Sequence, residues 1–260
     1  MIAPGFVGVE AQLWIMLIAM IRPGAAFLAA PIFGANAVPV QLRLILSLAL
    51  GIAALNTVTI TLPAGGIASF AGISMVVGEV LAGLAMGFAL QIGYAAAFVA
   101  GETIGNTMGL GFAAMVDPLS GSSTQAVGQY LSILATFILL GMDGHLMLIS
   151  YVVESYKALP PGGPMLSGEA AYNLVMFGGT LLGAGLTVAL PVGFALVLVQ
   201  LVMGMLARSA PSLNLFSVGM PATLLFGLVL MAVAAPIMGQ GITASLRAGL
   251  ERAQAIAAGQ

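Results

Sequence analysis

The chain has 260 residues, of which 61% are hydrophobic and only 5% charged, with a net charge of -2 from six basic and eight acidic side chains and a mean hydropathy of +1.16. So little charge cannot cover a water-facing surface of ordinary size, so most of the exterior must face lipid or other apolar protein, and a basic patch able to neutralise a nucleic-acid backbone is excluded. Cysteine is absent, which removes disulfide frameworks, thiolate metal sites and a cysteine nucleophile.

No polar linker or charge run divides the chain, and residues 1–260 read as a single membrane-type domain. Met1 to Glu10 lacks the positive region of a cleavable signal, so the first apolar stretch is expected to remain in place. Between Glu10 and Arg22 the apolar run is short, and Pro23, Pro31 and Pro39 are expected to break the N-terminal region into a re-entrant-like element. Leu44 to Gly78 is uncharged and is divided by Leu62-Pro-Ala-Gly-Gly66, which predicts a helix, a turn and a second helix. Val80 to Gly101, bounded by Glu79 and Glu102, reads as one helix.

Asn106 to Gln125 is rich in Gly and Ser and contains Asp117-Pro118, which predicts a loop. A helix resumes over Ala126 to Met142. Glu154 to Glu169, with Pro160-Pro-Gly-Gly-Pro164, predicts a second loop. Ala170 to Ala207 is too long for an ordinary single crossing, and Pro191 near its middle predicts a kinked helix or hairpin. A short polar turn over Arg208 to Asn214 precedes the last apolar run, Pro221 to Gln240, and the tail from Ser245 is expected in water. Arg247 and Arg252 favour a cytoplasmic C-terminus. The resulting fold class is all-α and polytopic, because backbone groups in an apolar setting must be satisfied internally and an open sheet edge cannot do that.

Catalytic chemistry has little to draw on. The single histidine, His145, lies in Asp143-Gly144-His145, which supplies no third residue of recognisable spacing and reads as a cap or loop. Gly109-Leu-Gly111-Phe112-Ala-Ala114 matches a loose dinucleotide pattern, yet no strand precedes it and no suitable acid follows. No catalytic, cofactor-binding or metal-binding residue is assigned, and no cofactor is expected.

Small residues recur at every fourth position through Gly93, Ala97, Gly101, Gly105 and Gly109, after the pair Gly83 and Gly87. In lipid, close helix approach depends on such residues because apolar side chains gain little by leaving lipid for protein. Packing within the chain and packing against another subunit both satisfy this pattern. Glu79 and Glu102 flank a run of spanning length, where an acid is costly unless it is paired, solvated or set at an interface. Either sits at a helix end or serves a water-lined conduit or subunit contact, the latter favoured for Glu102, four residues before Asn106. Arg208, a lone charge between two apolar runs, either faces headgroups or pairs with a carboxylate or with helix-terminal carbonyls. The sixteen methionines read as packing filler, with Met108 and Met115 placed to form a pliant seal beside the glycine-rich loop.

Three patches resemble the FliR family, whose virulence-secretion counterpart is SctT. The first is Arg22-Pro23-Gly24, Ala30-Pro-Ile-Phe-Gly34, Val38-Pro39 and Arg43. The second is Gly101-Glu102-Thr-Ile-Gly105-Asn-Thr-Met108-Gly109-Leu-Gly111-Phe112-Ala113, then Asp117-Pro118, Ser120-Gly121, Asp143-Gly-His145 and Ser155. The third is Leu190-Pro191, Gly204 to Phe216 with Arg208, Pro211 and Asn214, and Gly219-Met-Pro221. Ser212 departs from the family, where Gln is expected.

The resemblance covers nearly the whole chain. It implies long helical hairpins broken at Pro and Gly and packed in a hetero-oligomeric channel with FliP and FliQ, joined by FlhB and FlhA, in the bacterial inner membrane at the flagellar basal body. It further implies passage of unfolded flagellar proteins and a plug loop that comprises Gly109, Gly111, Phe112, Met115, Asp117, Pro118, Leu119 and Gly121. Glu79, Gly101, Glu102, Gly105, Arg208, Pro211 and Asn214 stand as candidates for intersubunit or polar packing. The alternatives are a virulence-type export gate, a small-solute transporter, against which the absence of an inverted repeat counts, and, last, a membrane enzyme.

Overall fold

The computed structural model describes residues 9–111, 126–209 and 215–260. Seven helices account for most of these residues: α1 Val9–Ala29, α2 Val40–Leu55, α3 Phe70–Thr107, α4 Ala126–Gly141, α5 Gly144–Ala158, α6 Gly168–Ser209 and α7 Leu215–Ala257. No strand occurs among the described residues, as the apolar composition requires. Four helices are long and apolar enough to cross a membrane, or five if α4 and α5 form one broken span, while α2 is apolar but shorter.

Local chemistry sets several boundaries. Ser69 accepts a hydrogen bond from the Gly72 N–H through its hydroxyl, at 3.1 Å, and Ser167 does the same for Ala170 at 3.0 Å. These are N-terminal caps for α3 and α6. The turn between α1 and α2 is closed by Arg43, whose Nη2 donates to the carbonyls of Ala35 at 2.7 Å and Val38 at 2.9 Å. Gly34 belongs there because a Cβ would lie 2.7 Å from the Leu28 carbonyl oxygen.

The helices outrun the sequence expectations. α3 has 38 residues, roughly 57 Å at the helical rise, and continues through both Glu79 and Glu102 instead of stopping at them. Pro23 does not end α1, so the first N-terminal element is one helix and the break falls in the turn after Ala29. Pro191 lies inside the 42-residue α6, which therefore is not a hairpin. Proline removes one hydrogen bond from a helix, but ending the helix in apolar surroundings would strand several more backbone groups, so the helix continues. The tail from Ser245, expected in water, continues α7 to Ala257 and buries Leu246, Leu250, Ala253 and Ile256.

Contacts divide the chain into two compact units. The first holds Met1–Ile92, Leu140–Gly178 and Arg247–Gln260; the second holds Gly93–Leu139 and Gly179–Leu246. In the first unit α1 packs along α2, and both touch α5. Ile18 and Ala19 of α1, Ile60 and Met75 form a buried apolar cluster, flanked by Leu55, Val58, Leu62 and Ile67. The segment between α2 and α3 thus lies against α1.

Candidate functional site

In the first unit, the single cation of α1 is fully enclosed. Arg22 is 1% exposed and Glu79 2%. The Arg22 Nε donates to Glu79 Oε2 at 3.0 Å and Nη2 donates to Glu79 Oε1 at 2.7 Å. Nη1 donates to the Ser155 hydroxyl at 2.8 Å, and Nη2 also donates to the Leu159 carbonyl at 2.6 Å. The Tyr156 ring stacks on the guanidinium, 4.1 Å from its centroid. Arginine suits this position because its planar fork donates to a carboxylate in two parallel bonds and still carries further donors. One residue of α1 therefore binds α3, α5 and the chain after α5.

Pro23 completes the arrangement. It has no N–H, so the carbonyl of Ala19, four residues earlier, loses its helical partner. The Tyr156 hydroxyl donates to that carbonyl at 2.7 Å. Beside the node lies a cavity of about 260 Å³, lined by Arg22, Glu79, Ser74, Phe70 and the Pro160–Leu166 turn. Nothing in the node is a nucleophile poised against a base; it is a saturated polar clamp.

Small residues bring α1 and α3 together. A Cβ on Gly83 would collide with the Arg22 carbonyl oxygen, and one on Gly87 with that of Ala26. In the second unit, a Cβ on Gly101 would collide with the Gly128 Cα of α4, and one on Gly128 would lie 2.6 Å from Glu102 Oε1. Gly83, Gly87 and Gly101 are thus used for packing within the chain. Tyr94 of α3 donates its hydroxyl to the Ser132 carbonyl at 2.9 Å along the same side of α4.

α3 ends in a complete accounting of its carbonyls. Gly109, at φ +88°, donates its N–H to Asn106 at 3.0 Å; Leu110 donates to Gly105 at 3.0 Å, and Met108 to Ile104 at 2.8 Å. This is a Schellman motif with glycine at the left-handed position. The two carbonyls it leaves are met from other helices. Gln200 Nε2 of α6 donates to Thr107 at 2.6 Å, and the Thr223 hydroxyl of α7 donates to Met108 at 3.1 Å. The Met108 side chain is buried against Gly227, where a Cβ would lie 2.6 Å from the methionine Cε. Met108 is therefore a packing residue of α3 and α7, not part of a free seal.

The residues singled out in the sequence fall as follows. Glu79 belongs to the Arg22 node. Gly101 and Gly105 are buried and Glu102 is partly buried in the second unit. Gly109 and Gly111 are partly buried, Gly109 as the terminator of α3. Arg208 is exposed in the last turn of α6. Phe112, Met115, Asp117, Pro118, Leu119, Gly121, Pro211 and Asn214 lie outside the described residues. Of the two readings for this trio, cap or loop, Asp143 stands in the turn at the N-cap position of α5 at φ +57° and makes no side-chain capping bond; its carbonyl accepts from Leu146 and Met147. Among the described residues no group of His, Asp and Glu is arranged to hold a metal ion.

Gln200 and Thr223 were not singled out from sequence, nor was Tyr156. The available signal was isolation: Gln200 is the one polar side chain between Val188 and Leu206, and Thr223 the one between Pro221 and Ala235. Two patches far apart in sequence thereby meet. The second patch, through Thr107 and Met108, touches the helices that carry the third, and the first touches Ser155.

The sequence profile of the bacterial export proteins, family 1, matches residues 13–248. The flagellar biosynthetic protein FliR of Escherichia coli K12 is 36% identical, over 84% of this chain and 83% of its own. That of Pectobacterium carotovorum is 38% identical over 65% of each chain. The Bacillus subtilis protein of the same name is 27% identical over 84% of each.

Proposed function

Because this chain belongs to the bacterial export proteins, family 1, which includes the flagellar biosynthetic protein FliR, we propose that it is a membrane subunit of the flagellar protein export gate. In this reading it assembles with FliP and FliQ, and with FlhB and FlhA, in the inner membrane at the flagellar basal body. Together they form the channel through which unfolded flagellar proteins leave the cell. In this reading the protein conducts its substrates and carries out no catalytic step.

The observation that carries the reading is the family match over residues 13–248. The flagellar names of its relatives favour the flagellar over the virulence system. Physical chemistry is consistent with it. α6 and α7 bury only 22% of their most apolar windows within the chain, against 50% for α3, so long apolar faces remain for lipid or for sister subunits.

We further propose that the segment from Gly109 to Ser122 closes the conduit when no substrate is present. Glycine and serine give a backbone able to rearrange, while Phe112, Met115 and Leu119 supply apolar bulk that excludes water. Glu102, Gly105, Arg208, Pro211 and Asn214 remain proposed sites of intersubunit or polar packing.

Affinity purification of the tagged full chain from detergent extracts should recover FliP and FliQ. A clean deletion strain should make early basal-body parts and export neither hook nor filament protein. Normal filaments on that strain would overturn the proposal. For the closing segment, shortening residues 113–121 should leave assembly intact and let the gate leak ions.

A further inference from the structure

Beside the Arg22 node the first unit leaves a space that none of its own side chains fills. Residues 70–82 of α3 form one wall and residues 159–166 the other, and Arg22 and Glu79, each no more than 2% exposed, close the inner end. The volume, about 260 Å³, is far above the ~10–15 Å³ that a single water requires. Gly83 and Gly87 lack side chains so that α1 can approach, but Gly78 does not serve that purpose: a Cβ there would meet only Met165 Cγ, at 3.7 Å.

The chemistry of the walls limits what can enter. Ser47, Thr103, Ser132 and Thr187 each donate a hydroxyl back to the carbonyl four residues earlier. Ser74 turns instead to the sulfur of Met165, another lining residue, at 3.9 Å, and a thioether is a weak acceptor. The Ser74 hydroxyl is therefore a donor that a better acceptor can claim. The ion pair at the inner end is internally neutral, so a charged group in the cavity would find no counter-charge. Met75, Leu159 and Leu166 add apolar wall. The guest that fits is a neutral acceptor on an aliphatic body.

Position narrows the choice further. α3 begins at Phe70, α5 ends at Ala158 and α6 begins at Gly168, so three helix ends lie within two residues of the lining. Phe70 is 90% exposed at this mouth, and Lys157 and Glu169 are exposed just outside the lining segment in sequence. Glu79 lies nine residues along α3 from Phe70, roughly 13 Å inward at the helical rise. In a membrane protein, a path of that depth leading inward from exposed charges matches the step from headgroup layer to hydrocarbon. Lys157 forms no ion pair among the described residues, and a cation at headgroup level attracts phosphate.

We propose that this cavity binds the glycerol-ester end of one membrane phospholipid. The Ser74 hydroxyl donates to an ester carbonyl, the first methylenes of the acyl chain lie over Gly78 against Met75 and Leu166, and the phosphate stays outside with Lys157. The lipid completes the packing between α3 and the turn that brings the Leu159 carbonyl to Arg22.

The test is native mass spectrometry of the purified full chain in detergent, titrated with phosphatidylglycerol, with the thermal transition as a second readout. The wild type should retain one lipid per chain, and its transition should rise with lipid. Gly78→Leu, whose side chain fills the cavity, should lose both the lipid and the rise, while its lipid-free transition stays at or above that of the wild type. Ser74→Ala should bind roughly threefold more weakly, the ratio to which one average hydrogen bond in a membrane protein converts, and Lys157→Gln roughly fivefold more weakly. Wild-type affinity in Gly78→Leu would overturn the inference, because the lipid would then lie elsewhere, and so would a wild type that holds no lipid. Wild-type affinity in both Ser74→Ala and Lys157→Gln would also overturn it, since neither polar end of the lipid would be recognised. If Gly78→Leu cannot be purified, Ala71→Leu, at an exposed lining position, carries the same expectation and the same refutation. Lipid bound by the isolated chain but excluded once sister subunits co-purify would assign the cavity to a side chain of another subunit and overturn lipid as its occupant.

Discussion

The Arg22 node and the terminus of α3 solve the same problem in opposite ways. Each must satisfy backbone carbonyls or charge beside apolar helices. The first unit concentrates polarity in one ion pair, with Arg22 making four hydrogen bonds and a ring contact. The second unit distributes it, using a glycine turn and one side-chain donor from each of two helices. A charged node is all-or-nothing, because removal of one partner leaves the other charge buried. A neutral, distributed cap loses only one bond at a time. The first kind suits a fixed joint and the second a joint whose setting can be shifted at small cost.

The largest effect expected from this contrast is at Glu79. Glu79→Ala leaves the Arg22 guanidinium buried without its carboxylate, a loss of about 3–5 kcal/mol. Yield of the purified chain and its thermal transition in detergent should fall sharply. Replacing both partners, as in Arg22→Met with Glu79→Leu, should recover much of the loss, since an apolar pair of similar volume carries no stranded charge. A double variant no better than Glu79→Ala would mean that Arg22 matters mainly through Ser155 and Leu159, and the node would no longer be an ion-pair joint.

A smaller effect should follow at the glycine seam of the second unit. Gly101 faces the Gly128 backbone with no room for a Cβ, so Gly101→Leu must push α3 from α4 at a cost of about 1–3 kcal/mol. Because Gly101 meets Gly128 backbone on backbone, the loss should be graded: Gly101→Ala milder, Gly101→Leu larger, both read from thermal transitions. An all-or-none collapse at Gly101→Ala would erase the distinction between the two units.

The sequence displayed the apolar runs, the turn chemistry and the small-residue spacing, because each of these is local. It therefore disclosed the all-α class and the breaks near Pro63 and Pro161. It misplaced the ends of α3 because Glu79 and Glu102 were read as punctuation, and it left a hairpin open at Pro191 inside α6, whose ends it placed to within two residues; whether such residues punctuate depends on what lies across from them. Glu79 is tolerated mid-helix because Arg22 is 57 residues away in sequence and adjacent in space. The same non-locality hid Tyr156, Gln200 and Thr223, ordinary residues whose roles come from a carbonyl on another helix.

The finest test of the comparison lies within the node itself. Tyr156 does two things: its ring covers the Arg22 guanidinium, and its hydroxyl serves the Ala19 carbonyl that Pro23 leaves without a partner. Tyr156→Phe keeps the ring and removes only the hydroxyl. The expected cost is about 1 kcal/mol, the usual net value of one such bond. Pro23→Ala supplies the missing N–H to Ala19 from within α1, so Tyr156→Phe should cost far less in that background. The coupling between the two substitutions, read as the non-additive part of the shift in thermal transition, isolates the hydrogen bond from the ring contact. Strict additivity would mean that the hydroxyl does not replace the bond Pro23 removes. Strong coupling would place Tyr156 as the residue that lets a proline stand beside a buried arginine in an apolar helix.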